Sequence, residues 1–294
     1  MSPRFIKVSA RVGPHTPRAH ASIRGMRPNA GPLPSRPAYA AFGMLCAAAA
    51  CACDPTVIIG TRVCQQAPDD AGPGQSGDGS VPLPWSTGFE NGFCDYAPPV
   101  GFCYEGGGGS YSLVTSPVHS GRYAAAFSVN AAIDGGSQAR CVLQGVFPTA
   151  AYYSAWYYVP APAVVVNGGN WNLFHFQGGS DLHGLWDMSL SSPNDGGLYA
   201  FVRDYVTFAA SNSTAAPPIP IGRWFHFEVY VKRANDATGE ISLLQDGVPA
   251  GQLTGLATDN TDVGQWYVGN LTSTNAIMPP VSTVYVDDVT ITTM

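Results

Sequence analysis

The chain has few charged residues, and basic residues are scarce beyond its first 53 positions. Of the 294 residues, only 12% are charged. All 20 acidic residues follow Cys53, whereas only seven of the 14 basic residues do, so this part of the chain has a net charge of −13. A surface this acidic repels nucleic acids and anionic lipids, because both are polyanions. The composition therefore argues against nucleic acid as a partner.

The sequence also lacks a hydrophobic run long enough to cross a bilayer comfortably. The apolar run at 38–50 has 13 residues, which suits the core of a signal peptide better than a membrane span. The small residues and cysteines that follow it resemble a bacterial lipoprotein signal. We therefore expect residues 1–53 to be a leader, with Met26 as an alternative start and a lipid on Cys51 or Cys53. The expected location is outside the cytoplasm, either anchored to the bacterial cell envelope by the lipid or secreted.

A second segment lacks hydrophobic residues that could anchor it to a core. Residues 67–84 read APDDAGPGQSGDGSVPLP, a composition typical of disordered tethers. We therefore predict a flexible linker over 54–84 and a single folded domain over 85–294.

Helical periodicity is absent from the predicted domain, and turn residues are abundant. The chain contains 34 glycines and 25 prolines. Short apolar or alternating segments, such as 123–129, 138–144 and 152–159, are separated by Gly, Pro, Asn and Asp. This spacing predicts an all-β fold in which two antiparallel sheets pack face to face.

The clearest hairpin spans residues 220–247. Its first strand alternates apolar residues with aromatic and charged ones, so one face is wholly apolar and should lie in the core. That face carries Phe225, Phe227, Val229 and Val231. The returning strand ends in Asp-Gly at 246–247, a dipeptide favoured in tight hairpin turns.

This hairpin, together with the segments 265–270 and 283–289, resembles the concanavalin A-like jelly rolls. That superfamily contains laminin-G-like and lectin-like modules as well as polysaccharide lyases of the alginate- and heparin-lyase types. The resemblance implies a jelly-roll sandwich and a glycan partner. It covers the predicted domain, and its motifs specify the fold more than any one activity.

Three cysteines lie in the predicted domain, and export would allow two of them to pair. Cys94 and Cys103 would close a small loop and are the simplest pair. Cys103 with Cys141 is the alternative, because Cys141 lies in a strand that could lie beside the first strands. The spacing does not match that of a zinc site.

Two strands carry polar residues of the kind that jelly-roll alginate lyases use. Gln138 and Arg140 share one face of their strand, and His175 and Gln177 share a face of another strand with Trp171. The resemblance implies that Arg and Gln neutralise a uronate carboxylate while His and Tyr handle the C5 proton and the leaving oxygen. The order here is His-x-Gln, whereas the alginate lyases have Gln-x-His.

The candidate catalytic residues are therefore His175, Tyr199 and Arg140, with His175 or Tyr199 as the base and Arg140 or Arg203 on the uronate carboxylate. Aromatic side chains could stack against sugar rings or simply fill the core. The candidate substrate-binding residues are Gln138, Trp156, Tyr158, Trp171, Gln177 and Arg203.

Glu90 and Asp288 lie near the two ends of the predicted domain. Jelly-roll carbohydrate modules often join their first and last strands around a structural Ca²⁺, which takes carboxylate and carbonyl oxygens. The resemblance implies such an ion at Glu90 and Asp288. We expect no other cofactor.

Three functions remain open from the sequence. The first is an exported, monomeric carbohydrate-binding module that holds a polysaccharide on an aromatic face. The second is a lyase that cleaves a uronate polymer by β-elimination, although the scarcity of basic residues favours neutral glycans. The third is a structural surface protein.

Overall fold

A computed structural model describes residues 81–294, except 167, 179–182, 194, 206, 214 and 259–262. The predicted leader, both candidate lipidation cysteines and the linker up to residue 80 lie outside the described residues. Val81 is buried, and its N–H donates a hydrogen bond to the carbonyl of Val146. In the described part of the chain, no helix is long and apolar enough to cross a membrane.

The described chain forms two antiparallel sheets packed into a sandwich, as predicted. Sheet A has eight strands: β1 (Trp85–Thr87), β3 (Ser110–Val114), β4 (Ala124–Asn130), β6 (Ala150–Tyr158), β12 (Trp224–Lys232), β13 (Gly239–Gln245), β14 (Val248–Leu256) and β17 (Val281–Thr292). Across sheet A the order is β14-β13-β12-β6-β17-β4-β3, and β1 pairs with β17.

Sheet B has seven strands and carries the site described below. They are β2 (Gly101–Gly106), β5 (Ser137–Val146), β8 (Trp171–Gly178), β9 (His183–Ser191), β10 (Tyr199–Asp204), β11 (Ala210–Ser211) and β15 (Val263–Thr272). Their order is β11-β10-β9-β8-β15-β5-β2. A small separate pair consists of β7 (Val164–Val165) and β16 (Ile277–Met278), and a 3₁₀ turn spans Cys94–Tyr96.

The core lies between the inner faces of the two sheets. On β12, the side chains of Phe225, Phe227, Val229 and Val231 are buried, which confirms the predicted core face. Each such side chain stabilises the fold by about 1.5–3 kcal/mol when it is fully removed from water. The alternate residues of β12 are only half-buried and form part of the outer face of sheet A.

The tight turn between β13 and β14 has the geometry that its sequence predicts. Asp246 and Gly247 both adopt positive φ, at 51° and 77°. Two consecutive positive φ values match the type I′ turn, whose twist fits a two-residue hairpin. The Asp246 carboxylate also accepts a hydrogen bond from the His226 N–H at 2.8 Å.

One disulfide joins Cys103 to Cys141, and the predicted Cys94–Cys103 pair is therefore wrong. Cys103 lies on β2 directly opposite Cys141 on β5, with 4.0 Å between their Cα atoms. Strand register thus decided the pairing against the shorter loop. Cys94 is also disulfide-bonded.

Candidate active site

A pocket of about 240 Å³ opens on the outer face of sheet B. Its walls include Gln138, Arg140, His175 and Gln177, so the structure brings together the four polar residues that the sequence had placed on two separate strands. They meet because β15 lies between β5 and β8 and pairs with both.

Strand alternation explains how β5 contributes to this pocket. Ala139, Cys141 and Leu143 point into the core, so Gln138 and Arg140 point to the outer face. Arg140 is nevertheless only 4% exposed, because neighbouring side chains surround it.

A β-bulge changes the orientation of residues on β8. The register of β8 against β9 shifts between Asn172 and Phe174, and both Leu173 and Phe174 point into the core. Trp171 is therefore buried as well, and its indole N–H donates to Asn270 Oδ1 at 2.8 Å. The prediction that Trp171 binds substrate is wrong, because the bulge turns Trp171 into the core.

The same bulge places Asn172 at the centre of a buried hydrogen-bond network. Arg140 donates from Nη2 to Asn172 Oδ1. Asn172 Nδ2 donates to the carbonyl of Phe174 at 2.7 Å and to Asp187 Oδ1 at 2.8 Å. Asp187 Oδ1 also lies 2.7 Å from His175 Nδ1. The network links the cation to the histidine through one amide and one carboxylate.

This network fixes the charge and the tautomer of His175. Burial lowers the pKa of the imidazole, and the hydrogen bond and negative charge of Asp187 oppose that shift only in part. The lowered pKa favours the neutral ring at pH 7, and we assign its proton to Nδ1 because an ionised carboxylate such as that of Asp187 can only accept a hydrogen bond. Nε2 then carries the lone pair, which is what a general base requires.

Of the pocket tyrosines whose rings contact His175, Tyr267 lies closer than Tyr205. Its ring centroid lies 5.2 Å from that of His175 and 5.5 Å from the guanidinium carbon of Arg140. Burial and the neighbouring Tyr104 raise its pKa to about 12, although Arg140 acts in the opposite direction. The hydroxyl is therefore protonated at neutral pH and can act as an acid.

Two glutamines hold the Tyr267 hydroxyl. The oxygen lies 2.5 Å from Gln177 Oε1 and also within hydrogen-bonding distance of Gln265 Oε1. A hydroxyl has one proton and can donate to only one of them at a time. Gln177, which the sequence suggests for substrate binding, thus also accepts a hydrogen bond from the Tyr267 hydroxyl.

Tyr199 lies outside the pocket and cannot be its tyrosine. Its hydroxyl donates to Asp195 Oδ2 at 2.8 Å, in the turn before β10. The sequence offered several tyrosines near the candidate histidine and gave no register with which to choose among them. Tyr267 lines the pocket and is not among the candidate catalytic residues predicted from the sequence.

Arg203 also lies outside the pocket, although it is on the same face of sheet B. In the register of the two strands, Arg203 on β10 lies opposite Asp187 on β9. Its guanidinium carbon lies 4.8 Å from the ring centroid of Phe208.

Phe208 is 63% exposed and has a φ of 59°, which is rare for a non-glycine residue and often marks functional sites. With the exposed Tyr205 it forms an aromatic rim beside the pocket.

Trp156 and Tyr158 lie on the opposite side of the molecule. Both belong to β6, and their side chains are on the outer face of sheet A. Trp156 stacks on His119 with 3.8 Å between ring centroids, and Tyr158 packs against Trp224. That these two residues bind substrate stays a prediction, and the structure places them on the other sheet from Arg140.

The carboxylates proposed for calcium are used as hydrogen-bond acceptors. Glu90 Oε1 accepts from the N–H groups of Arg122 and Tyr123, and Asp288 accepts from His119 and Ser120 side chains. No group of three or more candidate ligands occurs among the described residues. Ca²⁺ takes six to eight oxygen ligands, and these carboxylate oxygens already accept hydrogen bonds from the chain. The calcium ion stays a prediction.

The neighbouring Asp287 is buried, and burial raises its pKa to about 6. Its Oδ2 accepts N–H groups from His119 and Ser120, at 3.0 and 3.1 Å. The first and last parts of the domain are thus joined by hydrogen bonds to carboxylates.

Solved structures of polysaccharide lyases share this fold. An endo-β-1,4-glucuronan lyase from the fungus Trichoderma reesei matches with a TM-score of 0.50 and 16% identity, over 68% of this chain and 93% of the lyase. The cellulose-induced protein Cip1 matches with a TM-score of 0.51 and 15% identity, over 71% of this chain and 97% of Cip1. An alginate lyase from Aplysia kurodai gives 0.45 and 13%, over 73% of this chain and all of the lyase.

Comparisons of sequence found no counterpart. No protein-family model matches the chain, and no curated protein matches it. The structural matches confirm the predicted fold, a jelly-roll sandwich of two antiparallel sheets.

Proposed function

We propose that this domain is a polysaccharide lyase that cleaves a uronate-containing glycan by β-elimination. The observation that carries the proposal is the convergence of a buried cation, a neutral histidine and a protonated tyrosine in one pocket. These are Arg140, His175 and Tyr267.

The first requirement of the reaction is neutralisation of the uronate carboxylate. The C5 proton is too weakly acidic to be removed unless the negative charge that develops on the carboxylate is stabilised. Arg140 supplies a buried positive charge beside the pocket, and its Nε has no partner among the described residues. Gln138 lies on the same face and can donate its amide N–H groups.

The second requirement is a base and an acid on the reacting sugar. In the proposed step, His175 Nε2 takes the C5 proton and the electron pair of that bond forms the C4–C5 double bond. The C4–O4 bond breaks, and Tyr267 gives its proton to O4. The imidazolium and phenolate that result exchange a proton through solvent, which restores both groups, and no water is consumed.

Asp187 serves this chemistry through His175. Its carboxylate holds the Nδ1 proton and so keeps the base lone pair on Nε2. Its negative charge also stabilises the imidazolium that forms during the step. It is therefore a positioning residue.

Aromatic rings, three exposed and one half-buried, flank the pocket and support a glycan substrate. Phe102 and Tyr104 lie on β2 at one side, and Tyr205 and Phe208 lie after β10 at the other. Flat apolar rings beside a few convergent polar groups are typical of sites for ring-shaped ligands. The same rings would serve a non-catalytic binding module, so catalysis itself must be tested.

We further propose that the domain acts outside the cytoplasm. The Cys103–Cys141 disulfide supports this location, because such bonds persist in oxidising compartments and are rare in the cytosol. The signal and lipid anchor expected from residues 1–53 would place it there.

The reaction type can be tested by cleaving uronate polymers in water labelled with oxygen-18. Elimination yields an unsaturated sugar and incorporates no label, whereas hydrolysis incorporates one labelled oxygen per cleavage. Mass spectrometry of the products separates the two. Labelled, saturated products would contradict the proposal, and binding without any product would indicate a carbohydrate-binding module.

A further inference from the structure

A second pocket, of about 420 Å³, adjoins the candidate active site on sheet B. Gln138 and Leu271 line both pockets, so a polymer bound in the first would extend into the second. The second pocket lies where β5 begins and β15 ends. We refer to it as the adjoining pocket.

Glycine backbone forms much of the adjoining pocket. Gly107 has a φ of 59°, and a Cβ at this position would lie 2.0 Å from the carbonyl oxygen of Gly136. Gly136 has a φ of 85°, and a Cβ there would lie 2.7 Å from the carbonyl oxygen of Thr272. The turn after β2, the turn before β5 and the end of β15 therefore meet backbone to backbone, which leaves no room for side chains at these glycines.

The adjoining pocket is lined by uncharged groups and one carboxylate. Ser137, Thr272 and Ser273 are uncharged lining residues, and their hydroxyl groups make hydrogen bonds within the chain. The one carboxylate is the exposed Asp134, and no lysine, arginine or histidine lines the pocket among the described residues. The peptide groups of the pocket can exchange hydrogen bonds with the hydroxyl groups of a neutral sugar.

The sequence explains why two walls of the adjoining pocket carry no lysine or arginine. The chain has no lysine or arginine between Arg62 and Arg122, and none after Arg233. The turn after β2 and the end of β15, which form two walls of the adjoining pocket, both belong to these stretches. Among the described residues, Arg140 is the one lysine or arginine that lines the first pocket, and none lines the adjoining pocket.

We propose that the sugar bound in the adjoining pocket is neutral, so that the substrate is a glycan in which the cleaved uronic acid is flanked by a neutral sugar. This inference rests on the proposed lyase function and specifies its substrate class. A uronate in the adjoining pocket would bring its carboxylate towards Asp134, without a cation to offset the repulsion. A polymer made only of uronates would place a charged sugar in the adjoining pocket.

Affinity measurements test this inference independently of catalysis. The probes are hexasaccharides from polyglucuronate, alginate and polygalacturonate on one side, and from hyaluronan and deacylated gellan, which contain uncharged sugars, on the other. Calorimetry on the full chain at low salt should show at least tenfold tighter binding to one of the mixed oligosaccharides than to any homopolymer. Equal or tighter binding to a homopolymer would overturn the inference.

Two variants locate the effect at the adjoining pocket. Asp134→Lys should improve binding of the homopolymer fragments about tenfold relative to the mixed ones, whereas Asp195→Lys, on the turn before β10, should change that ratio less than twofold. An unchanged ratio for Asp134→Lys would overturn the inference. If the preference holds and no unsaturated product forms from any polymer, the lyase function fails and the specificity of binding stands.

Discussion

His175 Nδ1 lies 2.7 Å from Asp187 Oδ1, and both side chains are almost completely buried. Asp187 has a second oxygen, Oδ2, that has no partner among the described residues. A carboxylate in this position costs desolvation energy, which the hydrogen bonds from Asn172 and His175 offset only in part. We interpret the pair as an arrangement for proton transfer at the opposite nitrogen of the imidazole.

Replacement of Asp187 should damage the base without removing it. Asp187→Asn preserves shape but removes the charge and the acceptor that hold the Nδ1 proton. We expect kcat/KM to fall about 100-fold or more, with KM changed less than threefold. The pKa of His175 should fall further, since Asp187 raises it, so the acidic limb of the pH–rate profile should move to lower pH. An unchanged profile would show that Asp187 does not act through His175.

Tyr267 should be needed for the step that protonates the leaving oxygen. Tyr267→Phe removes the acidic hydroxyl while it keeps the ring against Tyr104 and His175. We expect kcat to fall by about 10²–10⁴. Tyr199→Phe is the matched control, because that hydroxyl binds Asp195 outside the pocket, and its kcat should stay within threefold of wild type. The reverse pattern would assign the role to Tyr199.

Arg140 should be specifically required as an arginine. Arg140→Lys keeps the charge but loses the planar set of donors that reaches Asn172 and the pocket together. We expect kcat/KM to fall about 100-fold, and circular dichroism should confirm that the sheets persist. Arg203→Lys should have an effect below fivefold, since its guanidinium packs on Phe208 beside the pocket. Equal losses in both variants would mean that Arg140 and Arg203 both hold the uronate carboxylate of the substrate.

The Cys103–Cys141 bond should stabilise the wall that carries Tyr104. It closes a loop of 38 residues, so its loss should lower the free energy of unfolding by about 4 kcal/mol in the chain-entropy account. Denaturant titration of Cys103→Ser, Cys141→Ser and the double variant measures this. The two single variants should each lose about as much as the double. A loss confined to one of them would indicate a packing effect instead.

The fold could be predicted from the sequence because alternation and turn residues act locally. The buried face of β12 and the Asp246-Gly247 turn followed from spacing alone. Arg140 and His175 could be nominated because their two strands resemble those of the jelly-roll alginate lyases.

Other parts of the site depend on strand order and on irregular backbone, which no local pattern reveals. Trp156 carried every local sign of a stacking residue but belongs to the other sheet. Asn172 and Asp187 could not be connected to Arg140 without the bulge that turns Asn172 outward. Tyr267 had a detectable signal, because it alternates with the core residues Trp266 and Val268.

The most direct measurement of the central claim is ultraviolet absorbance during incubation with uronate-containing glycans. The wild-type chain should generate the absorbance of a C4–C5 unsaturated uronate from at least one glycan of a panel that includes both homopolymers and mixed polymers. His175→Ala should bind the same glycan and generate none. Glycan binding by the wild type without any rise in absorbance across the panel, or an equal rise with His175→Ala, would contradict the account.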